Sequence, residues 1–225
     1  MHNLYALFDW DNTVREGYTL FSWIDYLCNH SIIKPTFQDE IGVIQAQYKR
    51  HLITHDEYAE IACSEYANAL TGIQREVISK AIMGYMPYDC KHLFTNLGSL
   101  FDTLYSKGID IIVISGAPLI VISQYLSKFH IKEIYAFKEE LRRGVFTGEV
   151  EYNYGFNKAA KVRELMEAYG NTPFIAFGDS ESDLSMLNEA KYSFCVGDKL
   201  AGFRHIKIIS QRIPDNIIAE VAHLQ

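Results

Sequence analysis

The run Leu4-Tyr5-Ala6-Leu7-Phe8-Asp9-Trp10-Asp11-Asn12-Thr13 decides how the chain is read, because a short apolar stretch stops abruptly at two acids set two positions apart. A near-continuous apolar run of this length, bounded by polar residues, marks a strand buried on both faces, as in a parallel sheet. Two carboxylates so close repel each other unless a cation or a shared proton relieves them. Magnesium suits that need, since it takes hard oxygen ligands, often one or two carboxylates together with substrate phosphate and water. The alternative is that Asp9 and Asp11 are turn residues with hydrogen-bonding side chains, and this stretch alone favours the functional reading without excluding that one.

Three further apolar runs end in the same manner: residues 109–114 before Ser115-Gly116, residues 174–177 before Gly178-Asp179, and residues 192–196 before Gly197-Asp198. Helical patterns lie between them. Repeated strand-then-helix units predict an α/β fold with a doubly wound, mainly parallel sheet. The segment from 15 to 88 differs: Phe21, Ile24, Tyr26 and Leu27, then Tyr58, Ile61, Ala62, Tyr66 and Leu70, recur at helical spacing with no comparable strand. This predicts an all-helical insertion after the first strand. Thr71-Gly72 reads as a helix stop and Met86-Pro87-Tyr88 as the return to the sheet. Residues 1–14 and 89–225 then form the α/β core domain, and 15–88 the inserted helical domain.

An open α/β sheet places its ligand outside the carboxyl ends of its strands, where the remaining polar residues of interest fall. Ile114-Ser115-Gly116-Ala117-Pro118 is expected to open a helix, with Pro118 suited to the first turn. Free N–H groups and a serine hydroxyl there favour an anion, although Ser115 serves equally well as a plain cap. Asn157-Lys158 opens a helix whose buried face is Val162, Leu165, Met166 and Tyr169, closed by Gly170. Lysine in a first turn opposes the helix dipole, which favours a cation held towards phosphate over a solvated surface lysine. In Gly178-Asp179-Ser180-Glu181-Ser182-Asp183, Asp179 can complete a metal site. Asp183 is either the acidic partner of a capping box begun by Ser180 or a group that orients the ligands from behind, and the two roles are compatible.

With 225 residues, 48% of them hydrophobic, the chain can bury a substantial core. Its 28 acidic and 21 basic residues give a formal charge of -7, which disfavours nucleic acid and anionic membranes as partners. Phosphate chemistry must therefore rest on a local site. The cysteines Cys28, Cys63, Cys90 and Cys195 form no CxxC pair and sit among apolar neighbours, as reduced and mostly buried thiols do. No run approaches the roughly 20 apolar residues that span a bilayer, and no signal core follows the N-terminus, so a cytoplasmic location is expected. Histidines such as His51, His55 and His92 lack metal-ligand spacing and read as surface residues. The aromatics Tyr18, Phe21, Trp23 and Tyr26 read as helix core rather than as a substrate pocket.

Taken in order, Asp9-x-Asp11-x-Thr13, Ser115-Gly116, Lys158 and Gly178-Asp179-x-x-x-Asp183 resemble the four signature motifs of the haloacid dehalogenase-like superfamily. The helical insertion between the first two motifs, and Phe146-Thr147-Gly148-Glu149-Val150 as a hairpin, resemble its phosphoserine phosphatase-like branch, so the insertion would be a cap over a Rossmann-like core. The resemblance implies a magnesium-dependent phosphatase for a small phosphorylated metabolite. Asp9 would attack phosphorus and become an aspartyl-phosphate, while Asp11 would protonate the leaving oxygen and then activate water. Magnesium would be held by the Asp9 side chain, the Asp11 backbone carbonyl and Asp179; Ser115, the Gly116 N–H and Lys158 would bind the phosphoryl oxygens. A phosphotransferase or mutase, and a non-catalytic phosphate-binding module, are the alternatives within the same fold. The phosphoserine enzymes place a substrate-binding arginine where this chain has Ala62-Cys63-Ser64-Glu65-Tyr66, which holds none. Their early glutamate is matched by Glu16 only with a gap, against a plain solvated charge beside Arg15.

Overall fold

The computed structural model describes residues 4–209 and 213–223. Strand β1 (Tyr5–Phe8) is buried along its whole length and occupies the middle of a seven-stranded sheet. To one side lie β2 (Asp110–Pro118), β3 (Ile131–Arg142) and β4 (Val145–Tyr152), and to the other β5 (Phe174–Gly178), β6 (Tyr192–Val196) and β7 (Ile206–Ile209). Neighbours run parallel except β3 and β4. That pair is a hairpin closed by Arg143 and Gly144, both at positive φ (51° and 80°), the backbone of a turn whose twist matches the flanking strands.

The helices are α1 (Thr19–Asn29), α2 (Phe37–Lys49), α3 (His55–Ala69), α4 (Arg75–Asp89), α5 (Leu97–Ser106), α6 (Leu119–Ile122), α7 (Lys158–Ala168), α8 (Leu184–Leu187) and α9 (Asp215–Ala222). Alternation along β1 explains its unbroken apolar sequence. Ala6 and Phe8 pack with Phe101 and Leu104 of α5 and with Ile217 and Val221 of α9, while Tyr5 and Leu7 pack on the other face with Val162 and Leu165 of α7. A third cluster joins α1, α3 and α4 through Trp23, Leu27, Tyr66, Leu70 and Tyr85, and takes in Val121, Phe137 and Phe146 from the sheet side. The first strand thus sits where the chain reverses its direction of travel across the sheet, the place at which an open α/β sheet binds its ligand, beyond the carboxyl ends of the strands.

Several local expectations shift. The β2 strand runs through Ser115 and Gly116 to Pro118 rather than ending at Ile114, and α6 starts only at Leu119, so Pro118 precedes the helix instead of lying in its first turn. The ladder explains this: Ile114 pairs with Tyr135 and Pro118 with Phe137, so residues 115–117 bulge out of register while remaining extended. Helix α4 continues through Pro87 to Asp89 rather than ending before it. The donor that proline removes faces the carbonyl of Met83, four residues back, and Met83 is exposed, so the loss is tolerable in a final turn. Of the aromatics read as core, Trp23 is buried, Phe21 and Tyr26 are half-buried and Tyr18 is exposed. His51 is exposed and His92 half-buried; the His55 side chain lies outside the described residues. The cysteines are free, Cys90 half-buried and the others buried. No helix among the described residues is long and apolar enough to cross a membrane.

Candidate active site

Asp9 stands one residue beyond β1 and is still held by the sheet, its N–H donating to the Phe177 carbonyl at 2.9 Å. Lys158, the first residue of α7, brings its ammonium to Asp9 Oδ1 at 2.5 Å and to Asp183 Oδ1 at 2.6 Å, all three side chains being buried. Thr13 Oγ1 donates to Asp9 Oδ2 at 3.5 Å. The other oxygen of Asp183 accepts from the N–H groups of Asp179 (2.9 Å) and Ser180 (3.2 Å), which closes the capping box at the start of the last motif. Asp183 therefore ties the β5 loop to α7. Gly178 is required for this closure: a Cβ there would lie 2.5 Å from Asp183 Cβ and 2.7 Å from its carboxyl oxygen. Lys199, in the loop after β6, pairs with the Asp179 carboxylate.

Burial pushes the Asp9 carboxyl well above the ordinary aspartate value; Lys158 works against this, and the charges of Asp183 and Asp179 add to it. Asp179 is raised too, by burial first, with Lys199 opposing. Burial likewise works against the charge on Lys158, but Asp183 and Asp9 outweigh it and hold the ammonium above the usual lysine range. Carboxylate oxygens of Asp9, Asp179 and Asp183 lie within 4.8 Å of one another. Three buried acids share one buried ammonium and one half-exposed one. Such a donor set fits a hard divalent cation, which would relieve the repulsion that lifts Asp9 and Asp179.

Asp11 sits in a tight turn in which Asn12 adopts φ 60° and donates its N–H to the Arg15 carbonyl at 2.6 Å. Its carboxylate reaches across to the start of α1, accepting from Thr19 N at 3.0 Å and Thr19 Oγ1 at 2.5 Å. Burial nevertheless raises the Asp11 carboxyl to about 6, with Thr19 and Arg15 opposing. Ser115 Oγ is buried and accepts from Ala117 N at 3.1 Å. Gly116 lies against Gly155, where a Cβ on Gly155 would fall 2.5 Å from the Gly116 Cα, so two backbones meet at this end of β2.

The fold thus gathers Asp9, Lys158, Asp179 and Asp183 into one contact network and sets Ser115 and Gly116 at the end of the strand beside Asp9. Asp11 is held on Thr19, and Glu16 is exposed on the outgoing loop, its N–H donating to the His92 carbonyl at 2.8 Å. Lys199 and Thr19 were not singled out in the sequence. Lys199 follows the apolar run 192–196 by three residues and carried the same strand-end signal as the others; Thr19 carried none.

Residues 6–188 match the family model for haloacid dehalogenase-like hydrolases. No curated protein matches the sequence. Among solved structures, a protein with unknown function from Bordetella pertussis Tohama I superposes with a TM-score of 0.79 at 17% identity, covering 94% of this chain and 100% of that one. A phosphoserine phosphatase solved as a phospho-aspartyl intermediate analogue gives 0.68 at 17% identity, over 98% and 99% of the two chains. Cytosolic 5'-nucleotidase IIIB bound to cytidine gives 0.67 at 13% identity, over 97% and 86%. At such identities the structural likeness is one of fold. The family match spans β1 to α8 and contains Asp9, Ser115, Lys158 and Asp183, and on that ground the chain belongs to the haloacid dehalogenase-like hydrolase family.

Proposed function

We propose that this hydrolase is a magnesium-dependent phosphatase of small phosphorylated metabolites, with residues 15–88 acting as a cap over the crevice and Asp9 as nucleophile. The observation that carries the reading is the Lys158 ammonium lodged between Asp9 and Asp183, with Asp179 alongside. Asp9, Asp179 and the Asp11 backbone carbonyl would hold the metal, oriented by Asp183. When bound, the cation supplies charge neutralisation for the phosphoryl oxygens.

In the first step an Asp9 carboxylate oxygen forms a bond to phosphorus as the ester oxygen leaves, and Asp11 gives that oxygen its proton. In the second, Asp11 takes a proton from water, the water oxygen bonds to phosphorus, and the Asp9–phosphorus bond breaks to release phosphate. An acid near 6 is matched to both tasks at neutral pH. Lys158, Ser115 and the Gly116 N–H hold the phosphoryl oxygens during both steps. The test is phosphate release from p-nitrophenyl phosphate with and without magnesium. Turnover is expected only with the cation, and Asp9→Asn is expected to lower it by at least about a thousandfold while leaving the far-UV spectrum unchanged. Full activity in that variant would remove Asp9 from its role.

A further inference from the structure

Two buried acids take no part in these steps: Asp89, which is paired with Arg15 at 3.1 Å, and Glu139, which has no such cation. Glu139 of β3 is 3% exposed, and its Oε1 has no hydrogen-bond partner. Leaving a buried carboxyl oxygen unpaired is costly, and among natural sites such an atom asks for an explanation. Its surroundings are built. Trp23 Nε1 donates to the Tyr66 hydroxyl oxygen at 2.8 Å, which frees the hydroxyl proton for the Glu139 carboxyl. Asn153 Nδ2 donates to Cys63 Sγ at 3.4 Å, and Asn153 Oδ1 accepts from Gly155 N at 2.8 Å. Gly155 in turn rests on Gly116. A row of polar groups therefore leads from Gly116, where phosphate would bind, through Asn153 to Cys63 of α3, and Tyr66, which faces Glu139, lies three residues further along the same helix. The Cys63 thiol lies within the field of both Glu139 and Asp11.

This row joins sheet residues to α3 on the side that feels the charge of Asp11, the group that would protonate the leaving oxygen. Lys138 is the cation whose field reaches Glu139, but it points outward, about one-third exposed and paired with Glu151 at 2.9 Å. Burial lifts the Glu139 carboxyl to about 7, the state of an acid still lacking its counter-charge. A carboxylate brought to the same place would meet the buried acid of Glu139 and be disfavoured by the like charge. Granted the phosphatase reading, we infer that Glu139 and Tyr66 recognise the leaving group, and select phosphomonoesters whose alcohol carries an ammonium group and no carboxylate.

Phosphonates test recognition apart from turnover, because their carbon–phosphorus bond is not hydrolysed. Calorimetric titration of the full chain in excess magnesium should give 2-aminoethylphosphonate a dissociation constant lower than that of propylphosphonate by about tenfold or more, the effect of one charge-assisted hydrogen bond. 2-Carboxyethylphosphonate should bind weakest of the three. In Glu139→Gln the ratio between the amino and propyl ligands should fall to within about threefold. Equal affinities in the unaltered protein, tight binding of the carboxyethyl ligand, or a ratio that survives the substitution would each overturn the assignment. The ratio in the unaltered protein decides by itself should Glu139→Gln fail to fold. Turnover of p-nitrophenyl phosphate in the same preparation reports separately on the phosphatase reading: activity without amine selectivity sinks only the recognition site, and selectivity without activity sinks only the catalysis.

Discussion

Lys158 holds Asp9 and Asp183 at 2.5 and 2.6 Å in a site almost closed to solvent, so the charge state of each acid depends on the others. Glu139 has no such partner, and its titration can be followed through stability. Its carboxyl is raised from 4.5 to about 7 by burial, so its contribution to folding is fully present below about 4.5 and is lost as pH rises through about 7. Denaturant unfolding should therefore show stability falling between those limits by up to about 3 kcal/mol from this group, and Glu139→Gln should flatten the profile. An unchanged slope in the variant would mean the acid is not held as described. Of these side chains, Asp9, Asp11, Asp179 and Asp183 were legible because each follows an apolar run that stops, and Lys158 because a lysine in the first turn of a helix opposes the dipole. Glu139 lies inside a strand, between Lys138 and Glu140, and three charged residues in a row carry no sign of burial; the packing of α3 against β3 helps to bury the middle one.

At the scale of the elements, the junction of β5 with α8 is the most exacting. Gly178→Ala would drive a methyl group to within 2.5 Å of Asp183 Cβ, and neither backbone can yield without breaking the bonds from Asp179 N and Ser180 N to Asp183. A loss of about 1–3 kcal/mol is expected, read as a lowered thermal midpoint; a midpoint equal to that of the parent would show the junction to be looser than its distances imply. The central strands were legible from their continuous apolar runs, since burial on both faces removes the polar alternation that hides other strands. β3 and β7 were not, because each alternates or carries charge, as Lys207 does within β7, and resembles loop or helix in sequence. The true end of β2 was missed for a related reason: a bulge keeps Ser115 and Gly116 extended where the pattern predicts the opening of a helix.

Across the whole molecule, the helical insertion is joined to the sheet by buried polar contacts as well as by the apolar cluster. Arg15, after β1, pairs with Asp89 of α4 at 3.1 Å; Tyr85 and Tyr125 donate to the two Asp89 oxygens at 3.0 and 2.8 Å. No spacing rule connects positions 15 and 89, so this joint was invisible in the sequence. Asp89→Ala would strand a buried guanidinium and should destabilise the protein by about 3–5 kcal/mol; a double-mutant cycle with Arg15→Met would recover the coupling, and simple additivity would refute it. The central claim remains that a phosphoryl group passes through Asp9. It is tested most directly by quenching a magnesium-containing turnover reaction in acid, reducing with borohydride and sequencing the peptides by mass spectrometry. An acyl phosphate at Asp9 would appear as homoserine at position 9. Homoserine at Asp11 or Asp179, with Asp9 unmodified, would contradict the account.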